Sequence, residues 1–154
     1  MLGRCACHVA ATAGPGRSIS LQLDRELDVS RGDWLVAAAA PPREATCIEA
    51  DVEPGDVDGF DPAAPPRRLW LQHGTRSVHA RVDGITARFD LQASQWQDGA
   101  PAALRANDIA RVRVKTQSAL AFDPYVRHGA TGAFVLVDPG THRTVAAGMI
   151  RRAG

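Results

Sequence analysis

Hydrophobic and polar residues alternate with a period of two along most of this chain, which is typical of half-buried β-strands. The stretch "SISLQLD" (residues 18–24) places all its apolar side chains on one face, and "ARVRVKT" (residues 110–116) does the same. Long helices, with their period of about 3.6 residues, are not indicated anywhere. The pattern therefore predicts an all-β fold, a small antiparallel β-barrel that closes its own edges. Further strands are expected at "RLWLQ", "SVHARV", "AFVLVD" and "RTVAAGMI".

The alternation changes phase at one point within residues 77–89. Apolar residues occupy even-numbered positions up to Val82 and odd-numbered positions from Ile85 onward. A two-residue hairpin at Asp83-Gly84 would produce this change, and so would a β-bulge inside one long strand. The sequence leaves both possibilities open.

Length, charge and cysteine content limit the classes of protein that fit. The 154 residues suffice for one ordinary domain, and a formal net charge of +1 gives no overall attraction to nucleic acid or to an anionic membrane. No apolar run reaches the roughly 20 residues that span a bilayer. Three cysteines cannot all pair with one another, so a reducing cytoplasm is the simplest location. We therefore expect no membrane partner and no nucleic-acid partner.

The tripeptide Arg31-Gly32-Asp33 raises the question of binding to adhesion receptors. Such binding needs an exposed loop tip on an extracellular protein, whereas this tripeptide connects two strand-like runs and no export signal is recognisable. Gly32 supplies a turn, and the charged residues on either side of it are ordinary solvated flanks. We interpret the tripeptide as the turn before a strand.

No arrangement of side chains indicates metal binding or catalysis. Cys5, Cys7 and His8 lie close together, but a structural zinc site needs four ligands and no second pair is spaced to complete one. No nucleophile, base and orienting acid occur in a recognised motif, and "GPGRSIS" lacks the lysine and the spacing of a phosphate-binding loop. We expect no catalytic, cofactor-binding or metal-ligating residue, and Cys5, Cys7 and His8 have no assigned role.

Two sets of residues are candidates for contact surfaces. Residues 134–137 are apolar on both faces of a strand, which indicates cover on both sides and selects Phe134, Leu136 and, on another strand, Trp70 for packing or partner contact. The second set is a basic stripe on the polar face of one strand: Arg111, Arg113 and Lys115. The basic stripe could track a phosphate backbone, as in an RNA-binding barrel, or be an ordinary solvated face. The near-zero net charge favours the solvated face, with RNA binding as the alternative.

The last third of the chain resembles a known family. Residues 120–150, "LAFDPYVRHGATGAFVLVDPGTHRTVAAGMI", contain an L-x-F-D-P-Y segment, a T-G-x-F-x-L-x-D strand and a T-V-x-A-G-M-I strand. These motifs resemble the C-terminal end of the large, GTP-binding subunit (subunit 1) of bacterial sulfate adenylyltransferase, a translation-elongation-factor-like protein. The resemblance continues upstream, in the same order and to about residue 18, through "ANDIARVRVKT", "HGTRSVHARV" and "LDVSRGDWLV".

The resemblance implies a non-catalytic C-terminal module of that subunit. The family hydrolyses GTP to promote the formation of adenylyl sulfate and diphosphate from ATP and sulfate on a separate catalytic subunit, which is the implied partner. The part that binds GTP and magnesium is expected upstream, so no cofactor is expected here and the chain is expected to be inactive alone. A degraded gene product without a role of its own is a further alternative.

The resemblance also divides the chain into parts. We expect a disordered start (1–17), remnant strands of a second barrel (18–38), a linker with one weak strand and a loop (39–67), and the main part of a six-stranded, elongation-factor domain III-like barrel (68–154). Two isolated strands cannot close a barrel, so residues 18–38 would expose apolar faces. Deleting residues 1–40 is therefore expected to improve solubility without unfolding the rest.

Two departures from the family pattern concern local structure. The first strand of the barrel, at "CIEADVEPGDVDGFD", is more acidic than is usual and is interrupted by Pro54-Gly55. His128-Gly129 stands where an Asn-Arg pair usually precedes the Thr-Gly, so the contact made by that pair is open to question.

Overall fold

The computed structural model describes residues 12–14, 16–55, 68–99, 104 and 107–154. Apart from one helical turn, their regular structure is β-strand, which confirms the predicted fold class. The strands are β1 (Arg43–Pro54), β2 (Leu69–His73), β3 (Arg76–Asp90), β4 (Gln95–Asp98), β5 (Ile109–Phe122), β6 (Ala133–Val137) and β7 (Thr144–Ala153), and the helical turn α1 is Gly129–Gly132. Cys5, Cys7 and His8 lie outside the described residues.

All of the strand pairs are antiparallel, and the sheet closes on itself. The order around the ring is β2-β6-β7-β1-β5-β3, and β3 pairs back with β2. β4 is an additional strand that pairs with β3 outside the ring. Closure gives each of the six ring strands a partner on both sides, which removes the open edges that promote aggregation. The predicted six-stranded antiparallel barrel is confirmed.

Inward-facing apolar residues fill the barrel. Ile48 and Val52 of β1, Val112 and Val114 of β5, and Leu136 of β6 are inaccessible to solvent. Burial of each such side chain stabilises the folded state by about 1.5–3 kcal/mol relative to exposure. On β5 the buried positions are those that the alternation in the sequence predicts.

β3 is one long strand with β-bulges, and no hairpin forms at Asp83-Gly84. Its register against β5 shifts between Val82 and Gly84, so Ile85 packs against the same core as Val82 although it is an odd number of positions, three, further along the strand. A bulge inserts a residue into one strand only, so it exchanges the two faces without reversing the chain. It also bends the strand, and β3 pairs first with β2 and then with β5.

β1 is longer and more central than its sequence indicates. The strand that was expected to be weak runs for 12 residues and pairs with both β5 and β7. Its acidic residues do not interrupt it, because Asp51 lies 2.9 Å from the Nε of Arg111 on β5 and Glu49 lies 3.0 Å from Arg152 on β7. Pro54 is the end of the strand and not a break within it.

Residues 16–42 contain no β-strand, although their sequence alternates. The six ring strands already have partners on both sides, so the ring offers this segment no free edge. Apolar side chains of this segment are therefore exposed, among them Ile19 (56%) and Leu21 (62%). The assignment of residues 18–38 to a second barrel stays a prediction.

Candidate docking surface

The loop between β5 and β6 is fixed to the barrel by backbone hydrogen bonds. Tyr125 N donates to Ile150 O of β7 at 2.8 Å, and Arg127 N donates to Pro124 O at 2.8 Å. The first bond attaches the loop to the wall, and the second closes a tight turn within it. The loop is therefore held in one position although it lies on the surface.

The side chain of Thr131 joins the two ends of this loop. Its hydroxyl donates to Asp123 Oδ2 at 2.8 Å and lies 2.9 Å from Nδ1 of His128. Because the single hydroxyl proton goes to the carboxylate, His128 Nδ1–H must be the donor of the second bond. His128, which with Gly129 stands where the family pattern has an Asn-Arg pair, thus makes a hydrogen bond to the Thr-Gly segment.

The backbone of Thr131 connects the loop to β2. His73, which is 2% exposed at the end of β2, has its Nε2 2.8 Å from Thr131 O. A carbonyl oxygen only accepts, so Nε2 of His73 carries the proton. Because the His73 ring is buried and its Nε2–H is hydrogen-bonded to Thr131 O, this contact fixes the position of the loop relative to β2.

Gly132 and Gly148, two glycines of the family motifs, allow close packing beneath the loop. A Cβ at position 132 would overlap the backbone of Tyr125, and a Cβ at position 148 would overlap the ring of Phe134. Neither glycine has a positive φ, so both are required by lack of space and not by backbone conformation. The motifs therefore encode the packing of this loop against β6 and β7.

The outer surface of the loop and of the adjoining strands includes several exposed apolar side chains. Val126 is 93% exposed, Tyr125 is 40% exposed and Met149 of β7 is 36% exposed. An open concavity of about 500 Å³ adjoins Tyr125. Its other lining residues come from β1, β2, the turn after β2, β6 and β7: Glu53, Gln72, Gly74, Ala133, Phe134, Val135, Ala147, Gly148 and Met149. Exposed apolar patches of this kind mark interaction sites. We call the loop residues Tyr125 and Val126, together with this concavity, the docking surface.

The three candidates for packing or partner contact occupy different environments. Phe134 (3% exposed) and Leu136 (0%) point into the barrel core, whereas Val135 on the same strand faces outward into the docking surface. Trp70 is half-buried and stacks on His79 with the ring centroids 3.8 Å apart. The apolar character of β6 on both faces thus has two sources, the core and the docking surface.

The basic stripe is largely neutralised by carboxylates of neighbouring strands. Arg111 Nε lies 2.9 Å from Asp51 Oδ1, and its guanidinium lies 4.0 Å from the centre of the Trp96 ring. Lys115 Nζ lies 2.9 Å from Asp83 Oδ2, and this hydrogen bond holds the pKa of Asp83 below its usual range. Arg113 is exposed. This arrangement is typical of a solvated outer face.

The Arg31-Gly32-Asp33 tripeptide forms a closed turn against the barrel. Asp33 N donates to Ser30 O at 3.1 Å, and Ser30 N donates to Asp33 Oδ2 at 2.8 Å. Gly32 has φ of +100°, is buried, and packs against the side chain of Arg76. The predicted turn is present, but no strand follows it. With its glycine packed on the barrel, the tripeptide is not displayed as a loop tip.

Within the described residues, no group of three or more His, Cys, Asp or Glu side chains is placed to hold a metal ion. Nor does the described part of the chain contain a helix that is long and apolar enough to cross a membrane.

Sequence comparisons connect this fold to known proteins. The sequence model of the family described as "GTP-eEF1A C-terminal domain-like" matches residues 58–151. Sulfate adenylyltransferase subunit 1 of Rhizobium rhizogenes (strain K84) is 38% identical over 143 residues, which cover 92% of this chain and 28% of that protein. The bifunctional enzyme CysN/CysC of Mycobacterium tuberculosis (strain CDC 1551) is 37% identical over 151 residues, which cover 92% of this chain and 23% of that protein. The chain thus spans about a quarter of the length of these relatives.

Among solved structures, the crystal structure of sup35 complexed with GDP has a similar fold, with a TM-score of 0.66 over 77% of this chain and 28% of that chain. At 15% sequence identity this similarity concerns the fold alone. The resemblance to the large subunit of sulfate adenylyltransferase, first indicated by the motifs, is confirmed by the relatives. By the match of residues 58–151, the chain belongs to the GTP-eEF1A C-terminal domain-like family.

Proposed function

We propose that this chain is the β-barrel module of a sulfate adenylyltransferase subunit 1 and that it docks another component of the assembly without carrying out chemistry itself. Its identity of 37–38% with proteins of that description supports the proposal. In this proposal the complete subunit works in the cytoplasm, in sulfate assimilation. It uses GTP hydrolysis to promote the formation of adenylyl sulfate and diphosphate from ATP and sulfate.

GTP, magnesium and the reacting ATP are assigned to other parts of the assembly. In this proposal the cluster around Thr131 has a structural role. The Thr131 hydroxyl donates to Asp123 and pairs with His128, and these bonds join the two ends of the loop. The cluster thus stabilises the loop that carries the docking surface.

The exposure of Val126 on a fixed loop is the observation that carries the docking proposal. A loop that is already ordered loses little conformational entropy when a partner binds. Burial of an exposed valine contributes on the order of 1.5 kcal/mol, and the small residues of the adjoining concavity leave room for a larger apolar side chain. We propose the catalytic subunit of sulfate adenylyltransferase as the partner.

Binding of the catalytic subunit to two matched variants tests the proposal. Val126→Asp places a charge in the docking surface, and Leu91→Asp places the same charge at a site that is also exposed (60%), in the turn between β3 and β4. We expect Val126→Asp to weaken binding by about tenfold or more, since a desolvated unpaired charge is costly, and Leu91→Asp to leave it unchanged. Absence of binding by the unaltered chain, or equal losses in both variants, would contradict the proposal.

RNA binding through the basic stripe is not proposed. Arg111 and Lys115 already lie 2.9 Å from carboxylates, so a phosphate backbone would have to displace these partners. A nucleic-acid partner is therefore not expected on this face.

A further inference from the structure

A concavity opens in the barrel wall where β3 changes its partner. The ladder between β3 and β5 ends with Ala80 opposite Thr116, and the residues of β3 before Ala80 pair with β2. Beyond this point β5 follows β1, and Thr116 holds the irregular segment with its hydroxyl 2.9 Å from Ser118 O and 3.2 Å from Thr46 O. The two strands therefore separate. We call the space between them the β3–β5 concavity.

The β3–β5 concavity has a volume of about 470 Å³, and none of the described residues in its lining is acidic. Its polar lining consists of Arg68, His79, Arg81, Lys115, Thr116 and Gln117. These side chains offer several hydrogen-bond donors that converge on one space. The lining shares no residue with the docking surface.

Positive charge is in excess at this site. Asp83 lies beside the concavity, 2.9 Å from Lys115 and 3.7 Å from Arg81, and so partly neutralises two of the cations. Arg68 adds a third cation to the lining. Cations that converge on a concave site raise the local concentration of anions.

On the neighbouring part of the outer wall, three arginines are paired with carboxylates. Across β1, β5 and β7, each of Arg111, Arg151 and Arg152 lies within 3.0 Å of a carboxylate of Glu49 or Asp51. A nucleic-acid backbone requires a continuous basic track, which these ion pairs interrupt. A compact basic site suits a small anion.

His79 adds a second and independent feature. Its ring stacks on Trp70. Among the described residues, Nδ1 of His79 is the one buried side-chain nitrogen or oxygen atom that has no hydrogen-bond partner. Buried polar atoms are nearly always hydrogen-bonded, and an exception calls for a ligand, an ion or a water molecule. His79 also lines the β3–β5 concavity, so the residue with this unsatisfied nitrogen borders the proposed site.

We propose that the β3–β5 concavity binds a small, multiply charged oxyanion of the phosphate class. Arg68, Arg81 and Lys115 provide the charge, and His79 and Gln117 provide neutral donors. This proposal goes beyond the docking function and does not rest on it, because the two surfaces share no residue.

Titration of the full 154-residue chain with inorganic diphosphate tests the proposal. At low ionic strength, nuclear magnetic resonance can follow the indole N–H of Trp70 and the ring nitrogens of His79 as reporters of the site. The double variant Arg68→Gln/Arg81→Gln removes two cations from the lining. Its matched control, Arg151→Gln/Arg152→Gln, removes the same charge from the ion-paired part of the wall.

We expect saturable binding of diphosphate with a stoichiometry of one, shifts at Trp70 and His79, and an affinity that falls by on the order of tenfold in the lining variant only. Equal losses in both double variants would mean general electrostatic attraction and would overturn the proposal. So would the absence of saturation at millimolar diphosphate. Binding of oligouridine that strengthens with its length and exceeds that of diphosphate would assign the site to nucleic acid and would also overturn it.

Discussion

Trp34 stacks on His73, with the two ring centroids 5.8 Å apart and the ring planes 20° from parallel. The contact attaches the segment before β1 to the end of β2. His73 in turn hydrogen-bonds Thr131 O in the loop of the docking surface. Two direct contacts thus connect the segment that precedes the barrel to the surface at which we propose that a partner binds.

Deletion of residues 1–40 is expected to increase solubility while the barrel remains folded. Among the described residues, the deletion removes seven large apolar side chains that are exposed: Ile19, Leu21, Leu23, Leu27, Val29, Leu35 and Val36. It leaves all six ring strands complete. Loss of the contact between Trp34 and His73 should lower the midpoint of thermal unfolding by about 3–6 °C. Sedimentation after expression and circular dichroism measure the two effects.

Trp34→Ala is the control for that deletion. It removes the stacked ring but keeps the other apolar side chains, so it should lower the unfolding midpoint without improving solubility. A deleted protein that is unfolded, or that is no more soluble than the complete chain, would contradict the prediction.

Gly148→Ala is expected to destabilise the barrel by about 1–3 kcal/mol, because the added methyl group overlaps the buried ring of Phe134. Gly84→Ala is the matched control, since a Cβ there meets nothing within 4 Å and φ is not positive. It should change the free energy of unfolding by less than about 0.5 kcal/mol. Urea denaturation measures both, and a neutral Gly148→Ala would show that β6 and β7 do not pack as described.

Thr131→Val is expected to cost about 1–3 kcal/mol, because Asp123 and His128 each lose a hydrogen-bond partner. Thr86→Val makes the same chemical change on β3, where the hydroxyl makes only an exposed bond of 3.3 Å and valine is favoured in a strand. It should be nearly neutral. If urea denaturation showed that both variants lower the free energy of unfolding by a similar amount, the proposed role of the Thr131 hydroxyl in joining the ends of the loop would be wrong.

Lys115→Met is expected to raise the pKa of Asp83. The hydrogen bond from Lys115, reinforced by its charge and by that of Arg81, holds this pKa below its usual range. Because the pKa is lower in the folded than in the unfolded chain, ionised Asp83 favours folding above its unfolded pKa. This contribution is lost as the pH falls through the folded pKa.

Carbon NMR titration of the carboxyl groups measures this change, with Asp90 as an internal control. The pKa of Asp90 is lowered mainly by the backbone N–H of Ala93, which Lys115→Met leaves in place. The titration of Asp90 should therefore not move. An unchanged Asp83 in the variant would show that its contact with Lys115 does not persist in solution.

The strands that could be predicted from the sequence are those whose alternation of apolar and polar residues can be recognised without knowing the neighbouring strands. On β5, Val112 and Val114 alternate with basic residues, and the same positions are buried in the barrel. β1 was underestimated because its acidic residues need partners such as Arg111 and Arg152, which are far away in the sequence. The choice between bulge and hairpin at Gly84 depended likewise on pairing with distant strands.

The docking surface could be predicted only in part. The motifs around Tyr125 and Gly132 indicate a loop of specific structure, but the hydrogen bond from His73 to Thr131 spans 58 residues and is invisible to local pattern. Exposure of Val126 is likewise set by the fold. β4 escaped prediction for a similar reason, since its Trp96 is held by Phe89 and Arg111 of other strands.

The most direct test of the account is site-specific photocrosslinking of the complete chain, mixed with the catalytic subunit of sulfate adenylyltransferase from the same organism. A photoreactive amino acid replaces Val126 in one sample and Leu91, on the β3–β4 turn, in the other. We predict a crosslink to the catalytic subunit from position 126 and none from position 91. Crosslinks from position 91 alone, or from neither position under conditions in which the two proteins bind, would contradict the proposed docking surface.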